Sequence, residues 1–254
     1  MVTTDNVEIT DLEQYMYLKK NGFKFEGQSY LFWEYVRILT EIRLMNPDVK
    51  FLLENVKMAK KWEEVITGAL GVEPILINSN LVSAQNRKRL YWTNIEGVTV
   101  PEDRGILLKN ILEDGVDEKY YLNAAVINKL VQHRERHKEL GHGFGAHKIL
   151  VPEATKKGYA ELSPGECFDF ENPKSKTRRG RKMIEKSNSL MSQNMSFMNY
   201  TSDYRIRRLT PTECSRLQTI PNWYKWECSD TQQYRMLGNG WTVEVIKHIL
   251  TNLF

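Results

Sequence analysis

The sequence predicts an α/β protein, a doubly wound sheet carrying helices, with a smaller and loop-rich second domain. Three observations lead there. Between positions 30 and 78 helical and strand-like apolar runs alternate, the short runs end in polar residues, and the composition changes character after about Gly105.

Leu31, Phe32, Tyr35, Val36, Leu39 and Ile42 recur at helical spacing, which predicts an amphipathic helix over residues 30–44 that stops before Pro47. Lys50-Phe51-Leu52-Leu53-Glu54-Asn55-Val56 is a short apolar run finishing in polar residues. It predicts a buried parallel strand whose carboxyl end opens onto a site. A second helical stretch over residues 59–69 closes at Gly71, and a second strand follows over residues 74–78. The aromatic and β-branched residues of Leu90-Tyr91-Trp92-Thr93-Asn94-Ile95 predict a further strand.

From about Gly105 to Tyr200 the chain is rich in Lys, His, Ser, Asn and Gly, includes Gly141-His142-Gly143-Phe144-Gly145, and has weak periodicity. The second domain is expected there. Thr210 then offers an N-cap, with Pro211 at the first helical position and Glu213 at the capping-box position. Val243, Val245, Ile246, Ile249 and Leu250 place a last helix over residues 242–253. The expected boundaries are 1–104, 105–204 and 205–254, the last segment returning to the first domain.

With 254 residues, 41% of them hydrophobic, the chain can bury a substantial core. No apolar run approaches the roughly 20 residues of a membrane-spanning helix, and residues 1–13 lack the basic, apolar and small-residue order of a secretory signal. An intracellular, cytoplasmic protein is expected. Cys167, Cys214 and Cys228 are far apart and form no metal-ligand spacing, so reduced thiols and no metal site are expected. The net charge of +4 permits a polyanionic partner without requiring one. Between Lys174 and Lys186 stand seven Lys or Arg residues against one Glu. Folded onto one face they would attract phosphates, although a solvated basic loop has the same composition.

Four ordered blocks carry the chemistry: Glu54-Asn55-Val56, then Gln85-Asn86-Arg87-Lys88-Arg89, then Arg208-Leu209-Thr210-Pro211-Thr212-Glu213 with Arg216-Leu217-Gln218 and Pro221, and finally Gly238-Asn239-Gly240. Glu54 alone would read as a surface carboxylate at a strand end; its meaning comes from the company of the other three blocks. Together they resemble the DNA cytosine-C5 methyltransferase family, with its ENV strand end, QxRxR segment, RxLTxxExxRLQxxP helix and GN-containing terminal turn. Trp241, before Val243, departs from the family's small residue there. The resemblance runs from about Gly27 to the end, apart from the family's variable recognition region.

The resemblance implies transfer of a methyl group from S-adenosylmethionine to C5 of a cytosine flipped out of double-stranded DNA. A thiolate attacks C6, and charge then building toward N3 and O2 is relieved by a carboxyl group that donates a hydrogen bond at N3. By that resemblance the catalytic residues are Glu54, Arg87 and Arg89: Glu54 is the carboxyl group, Arg89 reaches O2 and holds Glu54, and Arg87 contacts a phosphate. Gln85, Lys174, Arg178, Arg179 and Arg181 are assigned to base and DNA contact, and Leu31, Asn239 and Gly240 to the cofactor.

The family's Phe-x-Gly-x-Gly cofactor loop and Pro-Cys nucleophile loop have no match here, and none of the eight prolines precedes a cysteine. Residues 1–104 and 205–254 are accordingly expected to form an incomplete Rossmann-like methyltransferase sheet around a target-recognition domain at 105–204. None of the three cysteines is expected to be the nucleophile. The expectation is a prokaryotic or phage-encoded fragment or subunit that needs an N-terminal methyltransferase partner. A catalytically inactive DNA-binding or regulatory module, and a gene remnant, remain as alternatives.

Overall fold

The computed structural model describes residues 7–254 except 124–126, 129, 131, 133, 136–146, 154, 171–180 and 193–195. Two compact units divide the chain: residues 1–77, 88–100 and 249–254 in one, residues 78–87 and 101–248 in the other. Among the described residues no helix is long and apolar enough to cross a membrane, and no cluster of His, Cys, Asp and Glu could hold a metal ion.

The first unit opens with helix α1 (Leu12–Lys20), started by Asp11, whose carboxylate accepts the Gln14 N–H at 2.7 Å. This helix has no counterpart in the sequence expectation. Helix α2 (Leu31–Met45) follows as expected and ends two residues before Pro47. Its buried face is Phe32, Trp33, Val36 and Leu39, whereas Leu31 and Ile42, expected on that face, are exposed. Strand β1 (Leu52–Val56), helix α3 (Lys60–Leu70) and strand β2 (Ile75–Asn78) come next. Gly71 ends α3 at φ 74°, where a side chain would be strained, and its N–H reaches the Thr67 carbonyl at 2.8 Å.

Strand β3 (Lys88–Thr93) lies between the other two, giving the order β1-β3-β2. It runs antiparallel to β1, with Glu54 opposite Tyr91 and Val56 opposite Arg89. This corrects the expectation of a buried parallel strand at residues 50–56. With β3 as its neighbour, β1 takes the end of the sheet order and its residues are half-buried or exposed. The core of this unit joins Phe32, Trp33, Val36 and Leu39 to Ile66 and Leu70 of α3 and to Leu90 and Trp92 of β3. Apolar burial of this kind contributes about 25 cal/mol for each Å² removed from water.

In the second unit, β4 (Ile149–Pro152) and β5 (Tyr159–Leu162) form an antiparallel pair. Strands β6 (Cys167–Asp169), β7 (Arg181–Met183), β8 (Phe197–Tyr200) and β9 (Ile206–Arg208) make an antiparallel sheet in the order β7-β6-β8-β9. Helix α4 (Pro211–Leu217) begins as its sequence dictates: Thr210 Oγ1 accepts the Glu213 N–H while the Glu213 carboxylate accepts the Thr210 N–H. Helices α5 (Asp230–Asn239) and α6 (Val243–Leu250) complete the chain before a short 3-10 turn.

Residues 205–248 belong to the same unit as residues 105–204, unlike the expected three-segment division. The reason is packing: Leu209, Cys214, Leu217, Tyr234 and Leu237 share one apolar cluster with Cys167, Met183 and Phe197. Inside it Arg207 and Glu213 form a two-pronged ion pair at 2.7 and 2.8 Å, with side chains 3% and 0% exposed. The Glu213 carboxylate also accepts the Glu113 N–H at 2.8 Å. One capping residue thus starts a helix, balances a buried cation and anchors a distant loop.

Two stability measurements follow. Glu213→Gln leaves the Arg207 charge buried without its counter-ion, so urea unfolding should lose about 3–5 kcal/mol; a loss within experimental error would contradict the pairing. In the first unit Glu34 accepts hydrogen bonds from Lys19, Tyr15 and Arg37, which hold its carboxyl at about 2 rather than the usual 4.5. A depressed carboxyl stabilises the fold above its unfolded pKa, and that contribution disappears as pH falls through about 2. Glu34→Gln should therefore cost about 1 kcal/mol at pH 7 and progressively less below pH 4, and a deficit that stayed constant with pH would count against the carboxylate's role.

Candidate active site: a carboxylate–guanidinium pair, an apolar cavity and a buried polar network

Three structures place the predicted site residues. The first is built by strand pairing. Because Val56 stands opposite Arg89, Arg89 is the diagonal neighbour of Glu54 on one face of the β1–β3 ladder. Its Nε lies 2.8 Å from the Glu54 carboxylate, and each side chain is 16% exposed. Arg89 also donates from Nη1 to the Lys88 carbonyl at 2.9 Å, which turns the guanidinium along the strand. The structure thus brings Arg89 and Glu54, two of the residues singled out in the sequence, into one ion pair. A half-buried carboxylate with one edge clamped by a guanidinium is a preorganised hydrogen-bonding group for a small polar molecule.

The second is a cavity of about 580 Å³ in the same unit. Leu31, Phe32 and Tyr35 of α2, Leu53 and Asn55 of β1, and Met58, Trp62, Val65 and Ile66 line it, with Gln28 and Ser29 at its polar side. Leu53 and Asn55 flank Glu54 in a strand, so by the two-residue period they point to the face opposite the carboxylate. Strand β1 therefore has a charged face paired to Arg89 and a cavity face. Leu31 lines this cavity, where the sequence had placed a cofactor residue.

The third is a buried polar network in the second unit, and it changes two assignments. Gln85, expected to touch DNA, is fully buried. Its Oε1 accepts the Leu190 N–H at 2.7 Å, and its Nε2 donates to the Leu217 carbonyl at 3.1 Å and to Gln218 Oε1 at 3.3 Å. Arg87, expected on a phosphate, is 4% exposed. One guanidinium nitrogen donates to Ser189 Oγ and the Leu190 carbonyl at 3.0 and 3.2 Å, the other to the Gly238 and Gly240 carbonyls at 3.2 and 3.0 Å. A guanidinium can satisfy four acceptors in a plane, and so ordered it is spoken for by the protein.

Gln218 completes the network, donating to the Leu237 carbonyl and, at 3.2 Å, to the Gly240 carbonyl, while its Oε1 lies 3.0 Å from Thr242 Oγ1. Gly238 is compulsory: a Cβ there would stand 2.4 Å from the backbone of Met191 and Ser192. Asn239 ends α5 exposed, and Gly240 is the cap residue whose N–H reaches the Met236 carbonyl at 2.7 Å. Sequence reasoning quoted Gln218 as part of a motif without assigning it a role. The available signal was its place beside Leu217 at the end of the capped helix.

Of the basic run, Lys174, Arg178 and Arg179 lie outside the described residues, as does the 141–145 glycine segment. Arg181 is exposed on β7. Two other members turn inward: Lys182 pairs with Glu166 at 2.7 Å, and Lys186 Nζ donates to the Asn80, Ser83 and Ile106 carbonyls at 2.8, 3.1 and 2.6 Å. The run is thus not one phosphate-binding face throughout. Burial pushes the Cys167 thiol up to about 12 and the Cys214 thiol well above its ordinary value, so neither is a thiolate near neutral pH. Cys228 is half-buried.

If Arg87 serves the protein and not a phosphate, Arg87→Lys, which keeps the charge but lacks the fork, should lower unfolding stability by about 2 kcal/mol. Urea titration decides it: unchanged stability would return Arg87 to the surface.

A family model described as C-5 cytosine-specific DNA methylase matches residues 17–254. The type II methyltransferase M.HpaII of Haemophilus parainfluenzae is 28% identical over 251 residues, an alignment covering 90% of this chain and 65% of that protein. M.SsoII of Shigella sonnei, also a type II methyltransferase, is 30% identical over 251 residues, covering 91% of this chain and 58% of its own length. The chain therefore spans less than two thirds of these curated relatives. Among solved structures, a substituted form of DNMT2 from Spodoptera frugiperda superposes with a TM-score of 0.52 at 20% identity, covering 91% of this chain and 72% of that one, a likeness of α/β fold. With its four sequence blocks and a match over nearly its whole length, the chain belongs to the C-5 cytosine-specific DNA methylase family.

Proposed function

We propose that this chain is the C-terminal part of a DNA cytosine-C5 methyltransferase, which moves a methyl group from S-adenosylmethionine to C5 of a cytosine flipped from duplex DNA. A partner polypeptide supplies the cofactor loop and the cysteine nucleophile. The observation that carries this reading is the Glu54–Arg89 pair at 2.8 Å, half-buried on the β1–β3 ladder. A carboxyl group in this position can hydrogen-bond at cytosine N3, and the guanidinium beside it can meet the charge that gathers at O2. Arg89 has a second task, to keep Glu54 in one rotamer so that no reorganisation is needed when the base arrives.

The cavity lined by Leu31, Phe32, Tyr35, Leu53 and Trp62 suits the flat, apolar part of S-adenosylmethionine, with Gln28, Ser29 and Asn55 as its polar contacts. When bound, that cofactor supplies an electrophilic methyl group. No carboxylate lines the cavity, so the ribose and amino-acid ends need residues from elsewhere. Asn239 and Gly240 are proposed cofactor-side residues on family resemblance. Arg181, with Lys174, Arg178 and Arg179, is proposed to meet DNA phosphates. The high thiol values of Cys167 and Cys214 support a nucleophile supplied by the partner.

The test is transfer of radiolabelled methyl from S-adenosylmethionine to mixed-sequence duplex DNA. The chain alone should be silent. Adding a polypeptide that carries a Phe-x-Gly-x-Gly loop and a Pro-Cys loop from its own host should give labelled DNA, and Glu54→Ala should lower the rate of the assembled enzyme by about 10²–10⁴-fold. Labelling by the chain alone would sink the need for a partner, and silence of the combination would sink the enzyme reading.

A further inference from the structure

The basic run between Lys174 and Lys186 contains a single carboxylate, Glu185, for which the proposed function has no task. It stands just beyond β7, the strand at the end of the sheet order β7-β6-β8-β9. The Lys186 N–H closes back on the Ile184 carbonyl at 2.5 Å, so residues 184–186 form a γ-turn with Glu185 at its centre, at φ 59°. That conformation strains a residue with a Cβ, whereas glycine adopts it freely. The turn is tied down on both sides. The Glu185 carbonyl accepts the Leu108 N–H at 2.6 Å, and the Lys186 ammonium is held by the Asn80, Ser83 and Ile106 carbonyls. What this fixed turn presents to solvent is Ile184, 73% exposed, and the exposed Glu185 side chain.

The two lysines nearest to Glu185 in the chain are committed elsewhere, Lys182 to Glu166 and the Glu161 carbonyl, Lys186 to its three carbonyls. Among the described residues the Glu185 side chain forms no ion pair and no hydrogen bond. A turn with this backbone favours glycine, and a surface that only gathers phosphates is weakened by a carboxylate. Neither consideration explains a glutamate here. A base edge does, because cytosine N4 carries an amino donor in the major groove and a carboxylate is its matching acceptor. Adenine N6 is a poorer match, since the N7 acceptor beside it repels a second acceptor. Arg181, exposed at the start of β7, supplies a cation for a neighbouring phosphate.

We propose that Glu185 is a specificity-determining residue that accepts a hydrogen bond from the N4 amino group of a paired cytosine in the major groove, with Ile184 shielding that contact from water. This cytosine stays in its base pair and is distinct from the flipped target. The proposal rests on duplex DNA being the substrate, and it adds which base one turn of the second unit reads. A turn held by Leu108 and by the Lys186 ammonium brings its acceptor to the base without reordering, which is what discrimination between bases requires. The exposed isoleucine beside it lowers the local dielectric and so strengthens the hydrogen bond.

The experiment is selection by the full chain from a pool of DNA duplexes with a randomised central segment, with sequencing of the retained fraction. The parent should enrich a site in which one position is cytosine. Glu185→Gly suits φ 59° and should melt no lower than the parent by circular dichroism. It should reduce the preference for that cytosine by about 5- to 150-fold and leave the other positions as they are. Glu185→Gln, whose carboxamide both donates and accepts, should move the same position toward adenine. Affinity for unselected duplex should hold or rise in both variants, because a negative charge leaves a surface that faces phosphates. An unchanged base profile in Glu185→Gly overturns the proposal and leaves the enzyme reading standing, as does a loss spread evenly over every position. A parent that enriches no sequence also overturns it, while methyl transfer, measured separately, decides the enzyme reading.

Discussion

The planar guanidinium of Arg87 is the constraint on which the second unit depends. Its donors close on carbonyls and a hydroxyl from residues 189–190 and 238–240, segments separated from it by more than a hundred positions. A buried cation must be surrounded by acceptors or it costs several kcal/mol, so the two segments can adopt only backbone arrangements that present oxygens to it. Gln85 and Gln218 apply the same rule with neutral amides, and together the three side chains hold the turn after α5 against residues 189–190. The need for glycine at position 238 follows, since the backbones approach too closely there to admit a Cβ.

Residues of one motif thus serve different ends. Gln85 and Arg87 alternate with Asn86 and Lys88 in the chain, yet both side chains are consumed in the interior, while Arg89, two residues on, reaches a carboxylate at a strand face. The division follows from the backbone: Arg89 lies inside the β1–β3 ladder, where the two-residue period aims it at Glu54, and Arg87 lies just ahead of it, where the chain is free to turn inward. Glu213 shows the same economy, because a capping carboxylate can accept several hydrogen bonds at once.

In the first unit a single strand separates two environments. The charged face of β1 is stabilised by Arg89, and the other face is apolar and concave. An apolar pocket meeting an exposed helical seam leaves a good deal of hydrophobic surface in water. Covering it would release free energy in proportion to the area removed, at about 25 cal/mol per Å².

Much of the secondary structure was legible in the sequence because its causes act within four or five residues. The period of α2 and its stop before Pro47, the Gly71 cap of α3, and the Thr210-Pro211-Glu213 start of α4 are local chemistry, and each stands where it was expected. So were the family and the Glu54–Arg89 partnership, which rest on residue types held at fixed order. Tertiary structure alone decided that β3 enters between β1 and β2, that Leu31 and Ile42 leave the core, that residues 205–248 join the second unit, and that Gln85 and Arg87 are buried. Those outcomes turn on hydrogen bonds and packing between distant positions, as over the 153 residues from Arg87 to Gly240, and such pairings leave no periodicity in the chain from which they could be read.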